Sequence, residues 1–233
     1  MTAMSRSSLG GHQRETLNRQ ALVDVAVTIA QSEGLSALTM RRLAEATGKA
    51  PMTLYSHVPS KDALLVLVAD TVLGRIEIPQ GKWDRALSAV SLSTWRTLGE
   101  APGLATYIWK QVPYFFTQQG LRLADEAIGL LIAGGFTPVD AGRALEALMT
   151  YITGTVQRQE AWAAAPRAPL ARKVKGYPNL EAVTAHKPAG RNPAADTEAF
   201  VYGLELLMEG LRRDPRRRRD GPGQRRRSTG GKS

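Results

Sequence analysis

The stretch from Thr39 to Lys61, TMRRLAEATGKAPMTLYSHVPSK, restricts the possible folds of this chain more than any other segment. Thr39 is a good N-cap, and Leu38 and Leu43 flank it as a hydrophobic staple. A Gly-containing turn follows, and Ala50–Pro51 opens a second helix, with proline where its missing N–H costs nothing. That second helix is short. Leu54 is its single good anchor, and Thr53, Tyr55, Ser56 and His57 surround it. It is too polar to be core, and its start and stop signals are too ordered for a loop. A short second helix built to face outward is what a helix-turn-helix places in a DNA major groove.

The flanking sequence supplies a support for this corner. Asn18 caps a helix with Leu22, Val25, Ala26, Ile29 and Ala30 on one face, Leu17 is placed to staple onto Leu22, and Gly34 ends the helix. Ser60 caps a further helix that buries Leu64, Leu65, Val68 and Val72. Residues 17–75 therefore read as one compact block of four helical signals, an N-terminal three-helix helix-turn-helix domain. Residues 1–16 are polar and without periodicity, as in a flexible arm.

Pro79–Gly81 breaks the chain, and a second helical domain is expected over residues 80–212. Its predicted helices are Trp83–Leu98, Leu104–Gln118, Leu121–Ala133, Pro138–Ala163 and Ala194–Arg212. Thr137, Pro138 and Asp140 form a strong helix start. The proline-bearing stretch 166–193 reads as a long loop, with one short helix near Leu180–Ala185. No segment alternates as a strand does, so the fold class is all-α.

Composition excludes several functions. The chain has no cysteine, which removes disulfides, thiolate metal sites and thiol catalysis together. His12, His57 and His186 share no metal or triad spacing, so no metal, cofactor or catalytic residue is expected. No apolar run is long enough to span a bilayer and no signal sequence is evident, which makes the cytoplasm the expected location. The formal net charge is +10, but it is unevenly placed. From Leu211 to Ser233 there are nine Arg, one Lys and two Asp, so +8 sits in that tail. Asn18–Gly74 carries five basic and five acidic residues, so the helix-turn-helix block is close to neutral. Residues 213–233 are too rich in Arg, Gly, Pro and Ser to repay ordering, and such a tail supplies salt-dependent, sequence-blind phosphate attraction.

The segment LNRQALVDVAVTIAQSEGLSALTMRRLAEATGKAPMTLYSHVPSKDALL resembles the DNA-binding domain of the TetR family of bacterial transcriptional repressors. The most specific part is Leu54–Tyr55–x–His57 followed by Lys61 and Leu64–Leu65. The second domain resembles the tetracycline-repressor-like branch through Gly135–Phe136–Thr137–Pro138 and the final FVYGLELLMEGL segment. The likeness covers residues 17–212.

The resemblance implies a DNA-binding set: Thr39, Arg41, Lys49, Pro51, Met52, Thr53, Tyr55, His57 and Lys61. Arginine paired with guanine is the commonest specific base contact, and Pro51 and Met52 are of the type that touches thymine methyls. Tyr55, His57 and Lys61 are expected to hold phosphates. The chain departs from the tetracycline repressor at Lys49, Ala50, Pro51 and Ser56, so its target sequence should be its own. Arg42 reads as a solvated neighbour.

The second domain is implied to dimerise and to hold a small molecule. The expected dimer seam is Phe200, Leu204, Leu207 and Leu211, with Gly203 and Gly210 permitting close approach. The helix from Pro138 adds Ala141, Leu145, Leu148, Ile152 and Val156. Candidate effector contacts are Trp95, Tyr107, Trp109, Gln111, Phe116, Tyr151 and Gln157, although aromatics at helical spacing commonly serve as core. The histidine-bound magnesium of the tetracycline repressor has no counterpart here. The expected function is a homodimeric repressor, released from a palindromic operator by an effector. The alternative is an architectural nucleic-acid-binding protein led by the Arg tail, which would show little sequence preference.

Overall fold

The computed structural model describes residues 18–110, 117–164, 174–185 and 192–214. Among them there is no strand. Ten α-helices follow in order: α1 Arg19–Glu33, α2 Met40–Thr47, α3 Pro51–Tyr55, α4 Lys61–Gly74, α5 Trp83–Gly99, α6 Leu104–Lys110, α7 Gln118–Ala133, α8 Pro138–Ala164, α9 Pro178–Ala185 and α10 Pro193–Arg213. A short 3-10 turn, Leu35–Ala37, links α1 to α2. No helix among the described residues is long and apolar enough to cross a membrane.

The helix starts follow the capping chemistry read from the sequence. Asn18 Oδ1 accepts from the Ala21 N–H at 2.7 Å, Thr39 Oγ1 from Arg42 at 3.0 Å and Ser60 Oγ from Ala63 at 3.0 Å. Leu17, the expected staple residue, lies outside the described residues. One start differs from expectation. α7 begins at Gln118, not Leu121, because Thr117 caps it by accepting from the Gly120 N–H at 3.0 Å. The expected continuation of α6 past Lys110 falls on residues 111–116, outside the described residues.

α1 packs on both α4 and α2, and α3 packs on α2, with Leu22, Ala26, Leu43, Leu54, Leu64 and Val68 buried in the shared core. α4 continues out of this unit and packs on α5 and α7. α5, α7 and α8 pack on one another as a three-helix bundle, α6 leans on α5 and α8, and α10 packs on α5 and α8. Two polar ties bind the units. The Asp70 carboxylate of α4 accepts the Gln119 N–H at the start of α7 (2.7 Å), and Arg122 of α7 donates to the carbonyl of Ile76 just past α4 (2.9 Å). The 3-10 turn is tied as well, through the Leu35 N–H donating to the Pro102 carbonyl at 2.8 Å. Gly103, at φ 91°, faces Leu35 so closely that a Cβ there would lie 3.3 Å from the leucine side chain.

The expected dimer stripes turn out to face the chain's own core. Phe200 and Leu204 are buried, and Leu207 and Leu211 pack against the same cluster. Ala141, Leu145, Leu148, Ile152 and Val156 are likewise buried within the chain. Gly203 makes room for Tyr151 of α8, whose hydroxyl donates to the Phe200 carbonyl at 2.9 Å. A helical stripe records only that one face is covered, and here the cover is the molecule itself.

Near the far end of α10, Arg212 Nε donates to Asp84 Oδ2 at 2.9 Å, joining α10 to the first turn of α5. The Asp84 carboxyl is nearly buried, and the hydrogen bond from Arg212 holds its pKa below the usual carboxylate value. The lowered pKa makes the pair stabilising above about pH 3.9, the unfolded value, and the gain is lost as pH falls through the folded one. Arg212→Met should therefore cost about 1–2 kcal/mol at pH 7, since it leaves the nearly buried carboxylate with only the Lys82 ammonium at 3.9 Å and the Arg85 N–H at 3.0 Å. Thermal unfolding should show a gap at pH 7 that is smaller at pH 3, below the unfolded value. An equal gap at both values would assign the loss to packing instead.

Candidate nucleic-acid interface and ligand cavity

The outward helix is held by very little. α3 has only five residues and could not persist alone. Gly48 ends α2 in the left-handed conformation, φ 64°, and its N–H and that of Lys49 reach back to the last carbonyls of α2. Ala50 is extended, and its carbonyl accepts the Thr53 N–H at 2.9 Å. Leu54 and the following Val58 are fully buried and pin the helix on the core. The residues between these anchors are left outside.

Of the nine expected DNA contacts, eight are exposed and His57 is half-buried. Met52 is the extreme, an apolar side chain 80% exposed on a helix whose core position lies two residues away. Pro51, Met52, Thr53 and Tyr55 lie on α3, Lys49 precedes it, and His57 follows it. Thr39 stands at the start of α2, Arg41 in its first turn, and Lys61 opens α4. The beginnings of two helices, α2 and α4, and the short α3 with its flanks thus carry the expected residues. Among the described residues Arg41 has an exposed pair with Glu45 at 3.7 Å, an interaction weak enough to exchange for another partner. Arg42 is differently placed. Its guanidinium binds both oxygens of Glu33 and lowers that carboxyl's pKa. Thr39 accepts the capping hydrogen bond with its oxygen and keeps its own hydroxyl proton to donate.

A cavity of about 370 Å³ lies inside the second unit, within the usual range of about 300–1,000 Å³ for small-molecule sites. α5 supplies Leu87, Val90, Ser91 and Thr94 to its wall. α7 faces them with Leu123, Ala124 and Ala127, and α8 with Leu145, Leu148 and Met149. Leu73 of α4 closes one side, so the helix that anchors the DNA-reading unit also touches the cavity. The walls are apolar apart from Ser91, Thr94 and Glu146.

The expected effector contacts that fall on described residues do not line this cavity. Trp95 stacks on Phe200 with centroids 4.6 Å apart, and Tyr151 stacks on the same ring at 5.3 Å. This three-ring ladder joins α5, α10 and α8 as core, and burial raises the Tyr151 pKa. Tyr107 is half-buried against the core, Trp109 and Gln157 are half-buried, and none of the three lines the cavity. Gln111 and Phe116 lie outside the described residues. The readable signal was on α5: Leu87, Val90, Ser91 and Thr94 share one face, and the small hydroxyls interrupt an apolar stripe. Among the described residues no cluster of three or more metal-ligating side chains occurs.

Comparison with known proteins agrees with both halves. The family described as "Bacterial regulatory proteins, tetR family" matches residues 22–68, and the "Tetracyclin repressor-like, C-terminal domain" matches residues 77–214. The chain belongs to the TetR family. It is 28% identical over 216 residues to the HTH-type transcriptional repressor DrrR1 of Streptomyces coeruleorubidus, covering 85% of this chain and 78% of that protein. It is 29% identical over 206 residues to the class D tetracycline repressor of Escherichia coli, covering 84% and 89%. Among solved structures it resembles ActR of Streptomyces coelicolor in complex with actinorhodin, with a TM-score of 0.67 and 28% identity over 84% of this chain and 96% of that one. TetR-family membership makes the chain a ligand-responsive transcriptional regulator with a helix-turn-helix. The architectural alternative is not favoured.

Proposed function

We propose that this regulator is a homodimeric repressor. It reads a palindromic operator with α3 and is released when a small molecule fills the cavity walled by α5, α7 and α8. The observation that carries the reading is α4. This helix anchors the unit that bears α3, lends Leu73 to the cavity wall and is hydrogen-bonded to α7. An occupant that favours one setting of α7 over another therefore acts on α4 as well. It shifts the balance only by its difference in affinity for the two settings.

A single helix-turn-helix makes too few base contacts for useful specificity, so two copies on two half-sites are needed. The exposed surface supports a self-complementary face other than the stripes first read from the sequence. On α10, Ala199, Tyr202, Leu206 and Gly210 are exposed at three- and four-residue steps, with Tyr202 at 66% and Leu206 at 60%. On α8, Ala147, Thr150 and Gly154 are exposed and small. Apolar side chains left in water beside small residues suit a four-helix dimer contact. Leu206→Glu should convert the dimer to monomer in light scattering. A dimer of unchanged affinity would exclude this face.

The DNA contacts are assigned as a group. Arg41, Pro51, Met52 and Thr53 face bases, with Lys49 beside them, while Thr39, Tyr55, His57 and Lys61 hold phosphates. The Tyr55→Ala, His57→Ala double variant should lose about two orders of magnitude of operator affinity, from two charge-assisted or hydroxyl contacts removed together. It should remain dimeric. Footprinting on the DNA flanking the gene would measure this, and specific protection that survives the double change would overturn the assignment of α3.

A further inference from the structure

The cavity wall holds one charge. Glu146 of α8 is the only ionisable residue among the described residues that line it. It follows Gly142 and Leu145 and precedes Met149 on the cavity-facing side of the helix, yet it is exposed, so it stands at the solvent edge of the opening. Arg143, three residues before it on α8, pairs with Asp140 at 3.1 Å. Among the described residues no cation meets Glu146.

A second polar group lies on the facing wall. Ser91 is 3% exposed and its hydroxyl makes no hydrogen bond among the described residues, whereas the Thr94 hydroxyl beside it donates to the Val90 carbonyl at 2.8 Å. A hydroxyl without a partner that lines empty space can bond a polar atom of an occupant. Between these two points the wall is Leu, Val, Ala, Ile and Met.

We propose that the cavity selects an apolar molecule carrying a protonated amine. The apolar body fills the space between α5, α7 and α8, the ammonium pairs with Glu146 at the opening, and a polar atom of the ligand reaches Ser91. The carboxylate disfavours anionic ligands by the same field, which is strengthened beside low-dielectric walls. This inference rests on the cavity being the effector site.

Three probes on one ring system test it: naphthylmethylamine, naphthylmethanol and naphthoate, titrated calorimetrically into the full chain. The amine should bind about three- to tenfold more tightly than the alcohol, between the strengths of an exposed and a partly desolvated ion pair, and naphthoate most weakly. Glu146→Gln should bring amine and alcohol within twofold of each other. High salt should narrow the same gap in the wild type. An amine that binds no better than the alcohol, or whose advantage survives Glu146→Gln, overturns the charge inference while leaving the cavity reading intact. The cavity-filling variant Ala127→Phe separates the other failure. Alcohol binding that persists in it, or no binding of any probe to the wild type, overturns the cavity reading and this inference with it.

Discussion

The structure depends on α4 belonging to two cores at once. Its inner face buries Leu64, Leu65 and Val68 under α1, its last turn delivers Leu73 to the second unit, and Ile76 follows just past its end. The contact with α7 is reciprocal. Asp70 satisfies an amide at the start of α7, where the helix has unpaired N–H groups and favours negative charge. Arg122 of α7 satisfies a carbonyl just past the end of α4. Each helix end therefore completes the other, and neither can turn freely without exposing a polar group to an apolar junction.

That junction gives physical meaning to the weak hold on α3. A helix of five residues with two buried anchors has no stability of its own. Its orientation is whatever α1, α2 and α4 impose. The surrounding unit carries no net charge, so bulk attraction to DNA is small there and recognition rests on where individual side chains stand. A small change in the setting of α4 consequently alters the match to a groove more than a change in charge would.

The sequence made the local structure legible and the partners of each face less so. Asn18, Thr39, Ser60 and Thr137 announced helix starts because a capping side chain bonds an amide two or three residues away. Thr117 does the same, but the visible apolar pattern starts only at Leu121, after the helix has begun. The exposed face of α3 could be read because a short helix with one leucine has only one way to sit. The long helices were different. Phe200, Leu204, Leu207 and Leu211 form a regular stripe, but a stripe does not state whether its cover is intramolecular. The large aromatics likewise drew attention away from the cavity. Trp95 and Tyr151 had Phe200 to stack on, while the space itself is bounded by leucine, alanine, serine and threonine, whose small or ordinary side chains carry no conspicuous signal.

The central claim is that α3, presented in pairs, reads a specific symmetric sequence. Selection of the full chain against a random duplex DNA library tests it most directly. The account predicts an enriched motif with twofold symmetry and half-sites one helical turn apart or a multiple of it, whose bases change when Met52 or Arg41 is replaced. Retention of DNA without any enriched sequence, or with a motif unaffected by those replacements, would contradict it.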